Sequence, residues 1–270
     1  MGVPYAEVIG DPIAHSKSPL IHKFWLERSG ISADYRLRRV TPAEFPQYLN
    51  SRCGDSLWRG CNVTAPLKQQ AARLAIDPLG ICQRIGAANA IFRSPLSCGI
   101  GTNTDVHGVA AAIGEATLSC KVCMIGAGGA ARAALEFLRH RPGVEVALIA
   151  RDPDKAANLA KNCYGFDRSG DALSGAGLVV NATPLGMSNV ASMPATVLEA
   201  LAQTRDDALI FDMVYSPLET QFLRRAKELG RRTADGLAML IGQAAPAFEL
   251  FFGAPAPREH DDELRKLLIS

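Results

Sequence analysis

An α/β architecture in two domains is what the 270 residues of this chain predict. Three observations carry that expectation. Short apolar strands alternate with helical patterns along the chain, as in open sheets covered by helices. Near residue 126 a glycine-rich loop joins an apolar strand to a helix, and the alternation starts afresh. The final stretch is helical by pattern and matches neither sheet. The expected division is an N-terminal open α/β domain over 1–104, a doubly wound domain over 105–236, and C-terminal helices over 237–270.

The first strand is expected at Ala6 to Ile9. Ser18 and Pro19 then read as N-cap and first turn of a helix with an apolar stripe of Leu20, Ile21, Phe24 and Trp25, ended by Gly30. A second strand, Tyr35 to Val40, leads into Thr41-Pro42-Ala43-Glu44, a capping-box start for another helix. Further strands are expected near Gly60 to Val63, Ala88 to Phe92 and Gly99 to Asn103, parallel and with helices between them, and a helix opens near Asp105. The second series runs strand (Val122 to Ile125), glycine loop, helix (Ala130 to Leu138) and strand (Val144 to Ile149). Strands at Leu178 to Asn181 and Leu209 to Val214 follow. Leu237, Leu240, Ile241, Ala244 and Phe248 recur at helix spacing in the terminal stretch.

Composition narrows the function classes. With 29 basic and 27 acidic residues the net charge is +2, too small to point to nucleic acid or an anionic membrane as partner. No apolar run is long enough to span a bilayer, and the N-terminus lacks a secretory pattern, so the expected compartment is the cytosol. The seven cysteines (53, 61, 82, 98, 120, 123 and 163) match no disulfide framework, and free thiols are expected. Cys120-x-x-Cys123 flanks the start of an apolar strand that would bury at least one of the two. The five histidines show no ligand spacing, and no metal is expected.

Gly126-Ala127-Gly128-Gly129-Ala130-Ala131 fits G-x-G-x-x-A, placed after a strand and opening a helix, as a Rossmann-type dinucleotide-binding domain requires. Gly126 allows the tight turn, Gly128 lets backbone approach a pyrophosphate, and Ala131 permits close helix-to-strand packing. At the end of the next strand stand Ala150, Arg151 and Asp152. Arg151 with Lys155 would clamp the 2′-phosphate of NADP. Asp152 would instead take the 2′-hydroxyl of NAD or cap the helix starting at Pro153.

Four polar clusters mark predicted strand ends in the first half: Ser16-Lys17-Ser18, Asn62-Val63-Thr64 with Pro66 and Lys68, Asn89, and Asn103-Thr104-Asp105. Hydroxyls and amides suit a ligand rich in hydroxyl and carboxylate groups, because each bonds in both senses. Each cluster also has a purely structural reading: Ser18 as a cap, Asn62 to Pro66 as a turn, Lys68 as a solvated surface residue.

Taken in order, these motifs resemble the shikimate dehydrogenase family along essentially the whole chain. They are His15-Ser16-Lys17-Ser18-Pro19, Asn62-Val63-Thr64 with Pro66 and Lys68, Gly86-Ala87-Ala88-Asn89, Asn103-Thr104-Asp105 and the glycine loop. Asn181-Ala182-Thr183-Pro184, Asp212-Met213-Val214-Tyr215 and Ala234-Asp235-Gly236-Leu237 with Gln243 complete the series. The resemblance implies reversible NADPH-dependent reduction of 3-dehydroshikimate to shikimate, in cytoplasmic aromatic amino-acid biosynthesis, by a monomer or homodimer. It implies that Ser16 and Ser18 bind the substrate carboxylate. Thr64, Asn89, Asp105, Tyr215 and Gln243 would contact ring hydroxyls or the reacting oxygen, and Lys68 and Asp105 would form the catalytic pair. Gly126, Ala127, Gly128, Gly129, Ala130, Ala150, Arg151, Asp152, Lys155, Met213 and Gly236 would line the cofactor, and the terminal helices would pack back on the N-terminal domain. Two departures stand out. Ala88 and Ala90 replace the family's common Val and Thr, and Ala150 and Asp152 flank Arg151 where Asn-Arg-Thr is common. The second leaves NAD open beside NADP. A quinate/shikimate dehydrogenase is an alternative, although Ser18 resembles shikimate-type members. So is a ligand-sensing module of the same fold, against which Lys68 and Asp105 together argue.

Overall fold

The structure, a computed structural model, describes residues 2–95, 97–114, 120–139 and 141–269. The chain forms two compact units, Met1–Asp105 with Gln243–Ser270, and Val106–Gly242.

In the first unit β1 (Tyr5–Gly10) lies between β2 (Asp34–Arg39) and β3 (Trp58–Val63), parallel to both, and all six of its residues are buried. The sheet continues through β4 (Ala90–Arg93) to β5 (Cys98–Thr102), giving the order β2-β1-β3-β4-β5. Its helices are α1 (Ser18–Arg28), α2 (Phe45–Cys53), α3 (Lys68–Leu74) and α4 (Ile81–Ile85), and α5 (Asp105–Ile113) starts at the unit's edge.

The second unit has a six-stranded, wholly parallel sheet built from β6 (Lys121–Ile125), β7 (Glu145–Ile149), β8 (Asn162–Tyr164), β9 (Leu178–Asn181), β10 (Leu209–Asp212) and β11 (Arg232–Ala234). The order β11-β10-β9-β6-β7-β8 reverses direction between β6 and β9, the doubly wound pattern. Helices α6 (Gly129–Arg139), α7 (Pro153–Ala156), α8 (Ser169–Leu173), α9 (Ala195–Ala200) and α10 (Gln221–Glu228) complete it. Because both faces are covered, β6, β7, β9 and β10 are apolar apart from an end residue each. Cys123, Ile125, Val179 and Ile210 enter one core layer, and Val122, Met124, Val180 and Phe211 enter the other.

The last helices are α11 (Gly236–Phe252) and α12 (Asp261–Ile269). From Gln243 onward they belong to the first unit. Phe248 and Phe251 join Trp25, His22 and Tyr35 in one aromatic cluster, and a Cβ on Gly60 would fall 2.5 Å from the Phe251 ring. Glycine is therefore needed there for the helix to lie on β3. Arg28 pairs with Glu263, and Lys17 Nζ donates to the Leu268 carbonyl, tying α12 to α1.

Several sequence expectations are corrected. The first sheet is mixed: β4 runs antiparallel to β3, and β5 antiparallel to β4, with the Ser94 N–H donating to the Ser97 carbonyl at 2.8 Å between them. Ser18 is the first helical residue and does not cap, and Leu20, assigned to the apolar stripe, is exposed. The Thr41–Glu44 capping box does form, with Glu44 Oε2 accepting from the Thr41 N–H at 2.9 Å, but α2 starts only at Phe45. The edge strands β8 and β11 carried too few apolar residues to stand out. The expectation of seven free thiols fails as well. Cys53, ending α2, is disulfide-bonded to Cys98, opening β5, across 45 positions of sequence. Spacing rules missed it because the sheet, not the sequence, brings the two together. The other five cysteines are free. The histidine at 140 lies outside the described residues. Among those residues no cluster of His, Cys, Asp or Glu is placed to hold a metal, and no helix is long and apolar enough to cross a membrane.

Protein purified without reductant and then denatured should accordingly titrate five thiols with a chromogenic disulfide reagent, and seven after reduction. Seven before reduction would contradict the bridge.

His22 gives a second expectation. It is fully buried on α1 with its ring stacked on Tyr35 at 4.0 Å, and burial pulls its pKa from 6.5 down to about 3. The folded state holds it neutral while the unfolded chain binds the proton, so its effect is to lower stability as pH falls from 6.5 toward 3. In a His22→Phe variant that contribution vanishes. Urea unfolding should show a stability-versus-pH slope in this window that is shallower than wild type by up to about 1.4 kcal/mol per pH unit. Parallel slopes would refute it.

Candidate active site

Four strand ends of the first sheet converge on one edge. The serine loop leaves β1, Thr64 follows β3, and Asp105 follows β5. Asn89 precedes β4, which places it at the same edge only because β4 is antiparallel. At this edge Lys68, the first residue of α3, sets its Nζ 2.6 Å from Asp105 Oδ2. The other oxygen, Asp105 Oδ1, accepts from Asn89 Nδ2 at 2.8 Å. Asn89 Oδ1 accepts from the Thr104 N–H at 2.7 Å, and Asn103 Oδ1 accepts from the Asp105 N–H at 3.0 Å. Asn103 Nδ2 in turn donates to the Ala87 carbonyl at 2.9 Å. Every oxygen of the carboxylate is thus bonded, and the loop carrying it is fixed at both ends.

The backbone supports Lys68 as well, since its carbonyl accepts from the Ala88 N–H at 2.9 Å. Its side chain keeps 26% exposure against 8% for Asp105, so the ammonium is the more accessible member of the pair. Gln243 Oε1 lies 3.5 Å from both Asn89 Nδ2 and Thr104 Oγ1. The Thr64 N–H donates to the Ile9 carbonyl at 2.9 Å, and a Cβ on Gly10 would meet Thr64 Cγ2 at 2.6 Å, so the ends of β1 and β3 touch through a glycine. The Ser18 N–H donates to Ser16 Oγ at 3.3 Å, which closes the serine loop on itself. Sequence reasoning placed Asn62, Asn103 and Thr104 in its polar clusters but gave them no individual role. Asn62 Oδ1 accepts from the buried Tyr35 hydroxyl at 2.6 Å.

In the second unit Gly126 has φ +107°, and its N–H donates to the Ile149 carbonyl at 2.8 Å. A Cβ there would strike Thr183 Cγ2 at 2.8 Å. Gly128 differs: nothing lies within 4 Å of a Cβ added to it, so that face of the loop is open to a ligand. Ala127 is half-buried, and Gly129 and Ala130 open α6. Ala150 is buried just past β7 and Arg151 is exposed. Asp152 is the N-cap of α7: its carboxylate accepts from the Lys155 N–H at 3.2 Å and pairs with Lys155 Nζ at 2.7 Å, which holds its pKa below the usual carboxylate range. The Met213 N–H donates to the Asn181 carbonyl at 3.0 Å, and a Cβ on Gly236 would fall 2.3 Å from the Met213 carbonyl oxygen. Tyr215 follows on the same loop of this unit, with burial raising its hydroxyl pKa.

Two family models match the chain. Residues 8–91 match the shikimate dehydrogenase substrate binding domain and 236–261 the shikimate 5′-dehydrogenase C-terminal domain. A shikimate dehydrogenase (NADP(+)) from Sphingopyxis alaskensis is 48% identical over 99% of this chain and 97% of its own length. The chain belongs to the shikimate dehydrogenase family. A second family member, from Sinorhizobium medicae, is 39% identical over 99% of the chain and 95% of its own. Among solved structures, the Thermus thermophilus shikimate 5-dehydrogenase in complex with NADP(H) and shikimate superposes with a TM-score of 0.83 at 32% identity. That match covers 98% of this chain and all of the other.

The two loop glycines of this family member make opposite predictions. Gly126→Ala forces a side chain into a left-handed turn against Thr183 and should cost about 1–3 kcal/mol of stability. Gly128→Ala should change stability by less than about 1 kcal/mol. Thermal melting of both variants checks this, and equal losses would refute it.

Proposed function

We propose that this chain is an NADP-dependent shikimate dehydrogenase, catalysing reversible reduction of 3-dehydroshikimate to shikimate. The observation that carries the reading is the Lys68–Asp105 pair, buttressed by Asn89, among hydroxyl and amide groups at one sheet edge. Ser16 and Ser18 suit a carboxylate, and Thr64, Asn89 and Gln243 suit ring hydroxyls. Tyr215 is a further hydroxyl contact assigned by the family motif. The open face at Gly128 and the start of α6 fit a pyrophosphate. Met213 and Gly236 are assigned to the far end of the cofactor loop.

When bound, the nicotinamide supplies a hydride to the ring carbonyl carbon. The carbonyl oxygen then gains negative charge and takes a proton. Lys68 donates that proton from Nζ and regains it from solvent through its exposed quarter. Asp105 holds the ammonium in place, and Asn89 fixes the carboxylate's rotation. In the reverse direction the same amine accepts the hydroxyl proton. NADP is favoured over NAD because Asp152 caps α7, while exposed Arg151, with Lys155 one turn on, suits a 2′-phosphate.

The test is absorbance at the reduced-nicotinamide band, crossing shikimate and quinate with NADP and NAD. Turnover should centre on shikimate with NADP; preference for quinate with NAD would overturn the assignment. Lys68→Ala should lower kcat by at least about 100-fold, the usual contribution of a general acid, with shikimate affinity nearly kept. A variant that holds its rate would remove Lys68 from proton transfer.

A further inference from the structure

Asp212 ends β10 fully buried, and all three donors that reach it are neutral. Oδ1 accepts from Asn181 Nδ2 at 2.9 Å and from the Val214 N–H at 3.0 Å, and Oδ2 accepts from Thr220 Oγ1 at 2.6 Å. Burial raises its pKa above the usual carboxylate value. The network continues outward. Asn181 Oδ1 accepts from the Thr183 N–H at 3.0 Å and from the Thr183 hydroxyl at 2.6 Å. Thr183 Cγ2 is the first atom a Cβ on Gly126 would meet. Thr220 also caps α10, accepting from the Leu223 N–H at 3.3 Å. One carboxylate therefore joins the loop after β9, the loop after β10 that carries Met213 and Tyr215, and the underside of the glycine turn.

In a doubly wound sheet the two halves of a dinucleotide lie on either side of the switch point, here between β6 and β9. Arg151 and Asp152 follow β7 on the adenosine side, so the loops held by Asp212 serve the other half. We propose that Asp212 is a positioning residue for the nicotinamide half of the cofactor, fixing with Asn181 and Thr220 the loops after β9 and β10. The proposal rests on the NADP reading above. A buried carboxylate suits this task, because a fully bonded polar group in a low-dielectric core admits one geometry where an apolar side chain admits several.

The experiment is NADPH fluorescence titration, at a temperature well below every melting midpoint, of wild type, Asp212→Ala, Asp212→Asn and the packing control Leu173→Ala. Leu173 is fully buried in the same unit and lies outside the network. Asp212→Ala should raise the NADPH Kd about tenfold or more, as expected for loss of hydrogen bonds to a charged group. Asp212→Asn keeps an oxygen for Asn181 and Val214 and turns its amide to the Thr220 hydroxyl, so its Kd should stay within about threefold of wild type. Leu173→Ala should lower the melting temperature without moving the Kd. Equal weakening in Asp212→Ala and Leu173→Ala would overturn the proposal, as would an unchanged Kd in Asp212→Ala. Absence of NADPH binding by wild type would instead overturn the cofactor reading on which it rests. Should Asp212→Ala fail to fold, Thr220→Val removes the Oδ2 donor alone and should raise the Kd by a smaller factor, and no change there would overturn the proposal.

Discussion

The amide of Asn89 is the contact on which the substrate unit's chemistry depends. Buried to 2% exposure, it joins Asp105 to Thr104 and thereby fixes the carboxylate that Lys68 needs. Without it the buried Asp105 carboxylate would lose its one side-chain amide donor and, among the described residues, keep only Lys68 as a partner of its oxygens. With it, both carboxylate oxygens are bonded, and the ammonium is held where the proposed mechanism has it give a proton. The same amide sits where the Val63 N–H reaches the Asn89 carbonyl at 2.7 Å, so the chemistry and the β3–β4 pairing are secured at a single residue.

That placement explains why part of the site was legible in the sequence and part was not. Ser16, Ser18, Thr64, Lys68 and Asp105 all announced themselves as polar residues after apolar runs, where open sheets put ligands. The glycine loop was legible because Gly126 and Gly128 occupy positions where a turn and an open backbone face are needed. Strand direction was not. Ala90–Arg93 is an apolar run whose pattern reads the same in either sense, and only its pairing with β3 shows that it is reversed. In an all-parallel sheet Asn89, preceding its strand, would fall at the edge away from Lys68. The reversal is what brings it to the site.

The Cys53–Cys98 bridge was hidden for a related reason. Neither cysteine has a local signal, and their meeting depends on β5 being the edge strand beside α2, a consequence of the same hairpin. Asp152 shows the opposite case. Sequence left three roles open for Arg151 and Asp152 together, and local geometry shows one of them, the cap on α7, with the carboxylate also paired to Lys155.

The two units solve the problem of a buried carboxylate with the same device and opposite outcomes. In each, an asparagine on a neighbouring strand end donates its amide to an aspartate: Asn89 to Asp105, and Asn181 to Asp212. Asp105 has a cation at 2.6 Å, and the pair is coupled to solvent through a half-buried lysine. Among the described residues Asp212 meets only neutral donors, and it is closed from solvent altogether. A carboxylate with a partly exposed cation beside it suits the proton transfer proposed above. One enclosed by an amide, a hydroxyl and a backbone N–H can only hold loops in place, and burial makes any departure from that geometry costly. The difference between acting and positioning in this chain is thus set less by the aspartate than by what stands opposite it.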